Sequence, residues 1–255
     1  MILFLITSFI LGSAVGSFLN VVIDRTTRRE SILGRSYCNH CRATLATVDL
    51  IPIVSFVALG ASCRYCRKPL SWQYPAVEAT TALLFALSIW MLSLQGQLGV
   101  FSLLYYFFLI SILIIVAIVD LKFSLIPTTF ILAASLVSLF YNYFTLPSPA
   151  FVDHVFAAFL LAIFFGAIVL ATRGRGMGEG DVFLAFLIGM VLGIGDSAVA
   201  VFLGFLIGAV VSVFLIILGK KRFGQTVPFA PFLVLGFLIS LFWAQEILAW
   251  YLMVY

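Results

Sequence analysis

The chain has 255 residues, of which 64% are hydrophobic and only 9% are charged. A water-soluble domain of this length needs far more charged surface, so the composition excludes an ordinary soluble globular protein. The formal net charge of +4 does not indicate nucleic-acid binding, because in a membrane protein the placement of Lys and Arg matters more than their sum. We therefore expect a membrane protein with no nucleic-acid partner.

Apolar stretches long enough to cross a bilayer recur along the chain. A spanning helix needs about 20 mostly apolar residues. The first stretch lacks a basic segment before it and a convincing cleavage site, so we interpret it as a retained span and not as a signal peptide. The sequence predicts an all-α polytopic protein with about eight transmembrane helices. The predicted spans are 2–22, 76–94, 99–119, 125–144, 151–172, 182–195, 197–218 and 230–253.

The basic residues predict the orientation of these spans. All 14 Lys and Arg residues follow odd-numbered predicted spans. Most lie between the first two spans, and the others are Lys122, Arg173, Arg175 and the Lys220–Arg222 cluster. Because basic loops stay on the cytosolic side, we expect these loops in the cytosol and both termini outside.

Four cysteines form two C-x-x-C pairs in the long loop between the first two spans. They are Cys38, Cys41, Cys63 and Cys66. This spacing is typical of a tetrahedral zinc site, in which four thiolates leave no open position, so we predict a structural zinc ion. Reduced thiols or redox pairs are the alternatives, while disulfides are disfavoured in a cytosolic loop. A metal would hold together a loop too small for a large core.

Two aspartates lie at the cytosolic ends of predicted spans. Asp120 closes the third span and Asp181 opens the sixth. Ionisable groups at such positions are costly and are functional candidates. Two close carboxylates share a proton, so that one activates water while the other acts as acid, which is the chemistry of aspartyl peptidases. The alternatives are that Asp120 pairs with Lys122 or Arg173 and that Asp181 caps a helix.

Glycines alternate directly before Asp181. Gly176, Gly178 and Gly180 are the last three of this run. Because glycine allows another backbone to approach closely, we predict a loop along which a peptide substrate approaches the aspartates. A flexible hinge is the alternative, and the two interpretations are compatible.

Several motifs together identify a family that the chain resembles almost from end to end. Short motifs of this kind are weak alone, but the cysteine pairs and the G-x-G-D element in one chain are specific. The chain resembles the type IV prepilin peptidases, which are bifunctional leader peptidases and N-methyltransferases. The matching motifs are Gly16–Arg25, the two cysteine pairs, Asp49–Ser55, Tyr74–Glu78, Asp120 with Ile126-Pro127, Gly178–Asp181 and Pro228–Phe232.

The resemblance implies a fold, a reaction and a location. The substrates would be prepilins or pseudopilins, whose basic leader is removed at the cytosolic face of the bacterial cytoplasmic (inner) membrane. The new N-terminal amine would then be methylated with S-adenosylmethionine. Asp120 and Asp181 match the catalytic aspartates of the family. We accordingly divide the chain into 1–98, associated with methyl transfer, and 99–255, a six-span aspartyl peptidase domain.

Some residues leave alternatives open. Glu78, at the start of the second span, is a candidate for holding the cofactor, and the alternative is an interfacial carboxylate paired with a loop arginine. Phe183 occupies a position where the family commonly has lysine, and Thr128 one where it often has Asp or Asn. A proton-coupled transporter with Asp120 and Asp181 as relay groups is the alternative function. A zinc-loop scaffold without chemistry is a third.

Overall fold

Long apolar runs fold into helices because each helix satisfies its own backbone hydrogen bonds in lipid. The structure, a computed structural model, describes residues 1–28, 30–174, 176–220 and 227–254, with residues 252 and 254 described by their backbone alone. Its helices are α1 (Ile2–Arg28), α2 (Val54–Ala58), α3 (Gln73–Leu94), α4 (Val100–Phe123), α5 (Thr128–Thr145), α6 (Ser148–Thr172), α7 (Glu179–Ile217) and α8 (Ala230–Val254), with a 3-10 turn at Thr47–Leu50. Arg29, Arg175, Lys221 and Arg222 of the predicted basic loops lie outside the described residues.

The prediction of an all-α polytopic membrane protein is confirmed. Within the described residues, seven helices are long and apolar enough to cross a membrane. They are all of the helices except the short α2. The chain is a multi-pass membrane protein, and its helix count differs by one from the eight predicted spans.

The difference arises at α7. The predicted spans 182–195 and 197–218 lie together in this single 39-residue element. A straight helix of that length would measure about 58 Å, nearly twice the hydrocarbon core of a bilayer. The element is interrupted at Gly193, which has φ 73° and ψ −175°, a conformation essentially restricted to glycine. The interruption therefore falls at Gly193, inside the predicted span 182–195, and not at residue 196 between the two predicted spans.

The first arm of α7, residues 179–192, runs antiparallel to α6. A Cβ placed on Gly193 would lie 2.5 Å from Oδ2 of Asp153, near the start of α6. Four residues earlier, a Cβ on Gly189 would lie 2.5 Å from the backbone of Ala157. The later residue on α7 thus contacts the earlier residue on α6, so the two helices are antiparallel. Both contacts need glycine because the helices approach so closely.

The second arm, residues 194–217, runs parallel to α6. It begins beside Asp153, whose Oδ2 accepts a hydrogen bond from the N–H of Ile194 at 3.0 Å. Further along, the rings of Phe205 and Phe165 lie 6.0 Å apart. Since the two arms have opposite directions relative to α6, α7 is a helical hairpin. If the two arms are counted separately, the described residues form eight apolar helical segments in the order that the sequence predicts.

Helix α8 packs along the second arm in the opposite direction. Near its start, a Cβ on Gly204 would lie 3.1 Å from Leu233. Near its other end, Gln245 donates to Oδ1 of Asp196 at 2.8 Å. On the first arm, the carbonyl oxygen of Met190 accepts a hydrogen bond at 2.6 Å from Asn142 of α5. These contacts bring the starts of α7 and α8 to the same end of the bundle.

The chain forms two compact units, Met1–Ile115 and Val116–Tyr255, with the boundary inside α4. In the first unit, α1 lies directly on α3, where a Cβ on Gly12 or Gly16 would lie 2.7 Å from the Cα of Ala82 or Glu78. Such backbone contacts are typical of small-residue helix packing in membranes. The functional division at 98/99 stays a prediction.

The two cysteine pairs share one local geometry. In each, the residue before the first cysteine pairs with a residue seven positions later, and the first cysteine N–H donates to a carbonyl five positions later. The arginine after the second cysteine has a positive φ of 58–59°. The pairs thus form two equivalent turns. In the first turn Tyr37 pairs with Thr44, Cys38 donates to the Ala43 carbonyl, and the arginine is Arg42. In the second turn Ser62 pairs with Pro69, Cys63 donates to the Lys68 carbonyl, and the arginine is Arg67.

Candidate aspartyl site and cysteine cluster

Asp120 and Asp181 lie together in the second unit. Asp120 is in the last turn of α4 and Asp181 is in the first turn of α7, and each is only 5% exposed. Their carboxyl groups are close enough to interact electrostatically. Although Asp120 and Asp181 are 61 residues apart in the sequence, the packing of the second unit brings them close together. Two buried carboxyl groups that interact are the arrangement that aspartyl chemistry requires.

Asp181 caps α7 with one of its oxygens. Oδ2 accepts a hydrogen bond from the N–H of Gly178 at 3.1 Å, the geometry of a residue that reaches back over the first turn. Oδ1 is buried and has no hydrogen-bond partner among the described residues. A buried oxygen without a partner is costly, so one at this place suits an interaction with a reactant. The capping alternative is therefore correct for one oxygen and leaves the other available.

Asp120 is held by a neighbour that the sequence did not predict. Its Oδ2 accepts a hydrogen bond from the N–H of Ala230 at 3.2 Å. Ala230 is the first residue of α8, so the carboxyl group faces the positive end of that helix. The signal in the sequence is Pro231, because proline favours the first turn of a helix. Both aspartates thus bind main-chain N–H groups at helix starts.

The glycines of the predicted substrate loop have different surroundings. A Cβ on Gly180 would lie 2.5 Å from the Cβ of Ile126, and one on Gly176 would lie 3.0 Å from Thr172. At Gly178 the nearest atom would be Oδ2 of Asp181 at 3.6 Å, an ordinary contact. Gly180 is therefore explained by packing against Ile126, and Gly178 is the position with room beside the aspartate. Substrate approach along this loop stays a prediction.

The four cysteines converge in the first unit. Their sulfur atoms all lie within 4.8 Å of one another, and the Sγ atoms of Cys38 and Cys66 are 4.0 Å apart. None of the four forms a disulfide. Four thiolates about 2.3 Å from a tetrahedral zinc ion would stand roughly 3.8 Å apart. The geometry and the donor set fit a metal ion held by Cys38, Cys41, Cys63 and Cys66.

A cavity of about 390 Å³ lies between α1, α3 and both cysteine turns. Glu78 lines it and is 7% exposed. Its Oε2 accepts a hydrogen bond from the N–H of Ile53 at 2.7 Å, and the Ser17 side chain also bonds to it. The partners of Glu78 are therefore a loop backbone and a hydroxyl group, and the described structure shows no ion pair between Glu78 and an arginine.

An ion pair forms another part of the cavity wall. Arg64, next to the cysteine Cys63, donates to Oδ1 of Asp49 at 2.6 Å. Burial raises the pKa of Asp49, but the hydrogen bonds from Arg64, the Ala46 N–H and Tyr65, together with the charge of Arg64, outweigh it and hold that pKa below its usual range. The pair connects the 3-10 turn to the second cysteine turn, so the cysteine cluster and the cavity are parts of one folded loop.

Two family profiles match the chain. The profile described as "Bacterial Peptidase A24 N-terminal domain" matches residues 10–92, and that described as "Type IV leader peptidase family" matches residues 107–213. The first match contains the cysteine cluster and the cavity, and the second contains both aspartates. Neither gives support to a transporter. No match was found among solved structures.

Curated relatives extend over nearly the whole chain. A prepilin leader peptidase/N-methyltransferase of Bacillus subtilis (strain 168) is 34% identical, with 96% of each chain covered. A protein of the same name from Legionella pneumophila is 32% identical, with 94% of this chain and 91% of that protein covered. Another, from Pseudomonas aeruginosa, is 29% identical with 98% and 93% covered. The chain belongs to the type IV prepilin leader peptidase family.

Proposed function

We propose that the chain removes the leader peptide of type IV prepilins or pseudopilins and then N-methylates the new terminus, with Asp120 and Asp181 as the catalytic residues of cleavage. The observation that carries the proposal is the pairing of these two buried carboxyl groups at the starts of α7 and α8. Membership of the family and the full-length likeness to prepilin leader peptidase/N-methyltransferases support it.

We assign different tasks to the two aspartates. Oδ1 of Asp181 has no partner among the described residues and can take a proton from water. The water oxygen then bonds to the scissile carbonyl carbon. Asp120, held by the Ala230 N–H, donates a proton to the leaving nitrogen as the carbon–nitrogen bond breaks. The products are a leader with a free carboxylate and a pilin with a free N-terminal amine.

The substrate reaches the aspartates from the G-x-G-D side. The cleavage site of a prepilin borders an apolar segment, which suits a site at the end of a helix bundle. Gly178 leaves space next to Asp181, so the extended backbone of the substrate can pass there. Gly176 and Gly180 shape the same loop through their contacts with Thr172 and Ile126.

Methyl transfer is the task of the first unit. S-adenosylmethionine supplies a methyl group whose bond to sulfur breaks as the amine lone pair forms the new bond. The cavity between α1, α3 and the cysteine turns has the size of a small-molecule site. Glu78 in its wall is the residue we assign to the cofactor. This retains the functional division of the chain into residues 1–98 for methylation and 99–255 for cleavage.

Zinc is the metal that best suits the cysteine cluster. Soft thiolates select zinc among the abundant ions, and four of them complete a tetrahedral shell. The site is structural, because no position remains for water. It holds together a loop whose regular elements are one 3-10 turn and the five-residue helix α2 in the described part.

The same chain orientation as predicted suits this function, with both termini outside and the cysteine loop in the cytosol. Since α7 folds back at Gly193, the ends of α6 and of the second arm, Thr172 and Ile217, come to the same end of the bundle. Basic residues follow both ends in the sequence, and a common cytosolic side agrees with their charge. The membrane is then the bacterial cytoplasmic membrane.

The purified full-length protein with a model prepilin tests the proposed function. In detergent with S-adenosylmethionine, mass spectrometry should show loss of the leader followed by gain of one methyl group at the new terminus. Without S-adenosylmethionine, cleavage should continue and the methyl group should be missing. An intact prepilin after incubation would contradict the proposal.

A further inference from the structure

The cavity of the first unit contains a buried carboxyl group that forms no ion pair with a described residue. Glu78 is 93% buried and lines the cavity. Its hydrogen-bond partners are the N–H of Ile53 and the side chain of Ser17, both uncharged. The ion pairs that the described residues form, Glu30 with Arg42 and Asp49 with Arg64, do not include it. A buried carboxylate without a cation is costly, so this position favours a cationic ligand.

The backbone beside Glu78 is strained, which indicates that its placement matters. Ile53 has φ 61° and ψ −49°, a conformation that β-branched residues rarely adopt. Its N–H donates to Glu78, and the next N–H, of Val54, bonds back to the carbonyl of Pro52 in a three-residue turn. Glu78 thus fastens this loop over α3. The hydrogen bond from this strained residue fixes the position of the Glu78 carboxylate, which lines the cavity.

The rest of the cavity wall contains both polar and apolar residues. The polar residues include Asn20, whose side chain is held by Gln73 and the Tyr74 carbonyl. The apolar residues include Leu45, Leu50, Phe56 and Leu59. A ligand that combines an aromatic base with a positive charge matches this lining.

We propose that this cavity binds S-adenosylmethionine with its sulfonium facing the carboxylate of Glu78 and its adenine against apolar residues of the lining. The inference rests on the methylation half of the proposed function and deepens it by naming the charge that the site recognises and the orientation of the bound cofactor. The product, S-adenosylhomocysteine, has a neutral thioether in place of the sulfonium. Glu78 therefore favours the methyl donor over the product.

Binding measurements on the full-length protein in detergent test this inference. Isothermal titration with S-adenosylmethionine and with S-adenosylhomocysteine compares ligands that differ in the sulfonium charge. We expect wild type to bind the sulfonium ligand more tightly. Glu78→Gln keeps an oxygen for the Ile53 N–H but removes the charge. It should weaken S-adenosylmethionine binding roughly 10- to 100-fold and change S-adenosylhomocysteine binding far less.

Two controls separate charge from structure. Glu246→Gln makes the same change at an exposed position of α8 in the second unit and should leave both affinities unchanged. The melting temperature of Glu78→Gln should equal that of wild type, whereas Glu78→Ala, which releases Ile53, should melt lower. Equal losses for both ligands in Glu78→Gln would mean a structural role and would overturn the inference.

Failure of the inference can be told apart from failure of the proposed function. Unchanged S-adenosylmethionine binding by Glu78→Gln would overturn the site and leave methylation by this chain standing. No binding by wild type at all, together with leader cleavage without methylation, would overturn the methylation half of the proposed function and this inference with it.

Discussion

The N–H of Ala230 donates a hydrogen bond to Oδ2 of Asp120 at 3.2 Å, although the two residues are 110 positions apart in the chain. Asp120 therefore caps α8 from another helix, in the same way that Asp181 caps its own helix through Gly178. Each aspartate of the proposed catalytic pair is fixed by a helix start. The same contacts that hold the fold at this end also fix the two carboxyl groups.

Asp120→Ala should destabilise the protein more than Asp120→Asn. The asparagine side chain still accepts a hydrogen bond from Ala230, whereas alanine leaves that N–H without a partner. The loss of such a cap costs about 1 kcal/mol. Melting temperatures of the two variants in the same detergent measure the difference. Equal melting temperatures would show that the bond to Ala230 contributes nothing to α8.

Gly193→Ala should disturb the turn of the α7 hairpin. The residue has φ 73° and ψ −175°, where a Cβ is strained and would meet Oδ2 of Asp153 at 2.5 Å. The cost should be about 1–3 kcal/mol. The matched control is Gly195→Ala, whose Cβ would meet Leu248 at an ordinary 3.8 Å. Thermal unfolding measures both, and a Gly193→Ala variant as stable as Gly195→Ala would contradict the hairpin geometry.

Substitutions in the G-x-G-D loop separate packing from substrate contact. Gly180→Ala brings a Cβ within 2.5 Å of Ile126, so it should destabilise the start of α7 by about 1–3 kcal/mol. Gly178→Ala fits sterically and should leave the melting temperature unchanged. If the substrate passes Gly178, that variant should instead raise KM for a model prepilin. An unchanged KM would contradict substrate approach at this position.

Much of the fold could be predicted from the sequence because hydrophobic run length determines membrane helices directly. The separate predicted spans 182–195 and 197–218 could not be recognised as one element. Hydropathy does not distinguish a short loop from a single residue of unusual backbone conformation. The φ of Gly193 and its contact with α6 arise from tertiary packing, so its residue type alone does not reveal them.

The sequence indicates which residues form the candidate site, but not which backbone groups bind their side chains. Asp120 and Asp181 stand out because ionisable residues are rare in apolar segments. The N–H of Ala230 could not be identified, because any residue can supply a backbone donor and only the packing of α8 selects this one. For Glu78, sequence reasoning considered a cofactor or an arginine as partner and did not anticipate the Ile53 N–H.

Loss of the cysteine cluster should remove methylation and spare cleavage. Purified wild type should contain one zinc ion per chain by elemental analysis, because the four sulfurs form a complete site. The Cys38→Ser, Cys66→Ser double variant should lose the metal and, with it, the shape of the cavity wall. Leader cleavage in the second unit should continue. Metal-free wild type, or equal loss of both activities, would contradict the proposed division of labour.

The rate of leader cleavage by three asparagine variants tests the central claim most directly. Asp120→Asn and Asp181→Asn remove one carboxylate each. The control, Asp196→Asn, makes the same change near the start of the second arm of α7, away from the aspartyl site, and keeps an acceptor for Gln245. With all three folded, cleavage of a model prepilin should fall by at least about 100-fold in the first two variants and be unchanged in the third. Wild-type cleavage by either Asp120→Asn or Asp181→Asn would contradict the aspartyl pair.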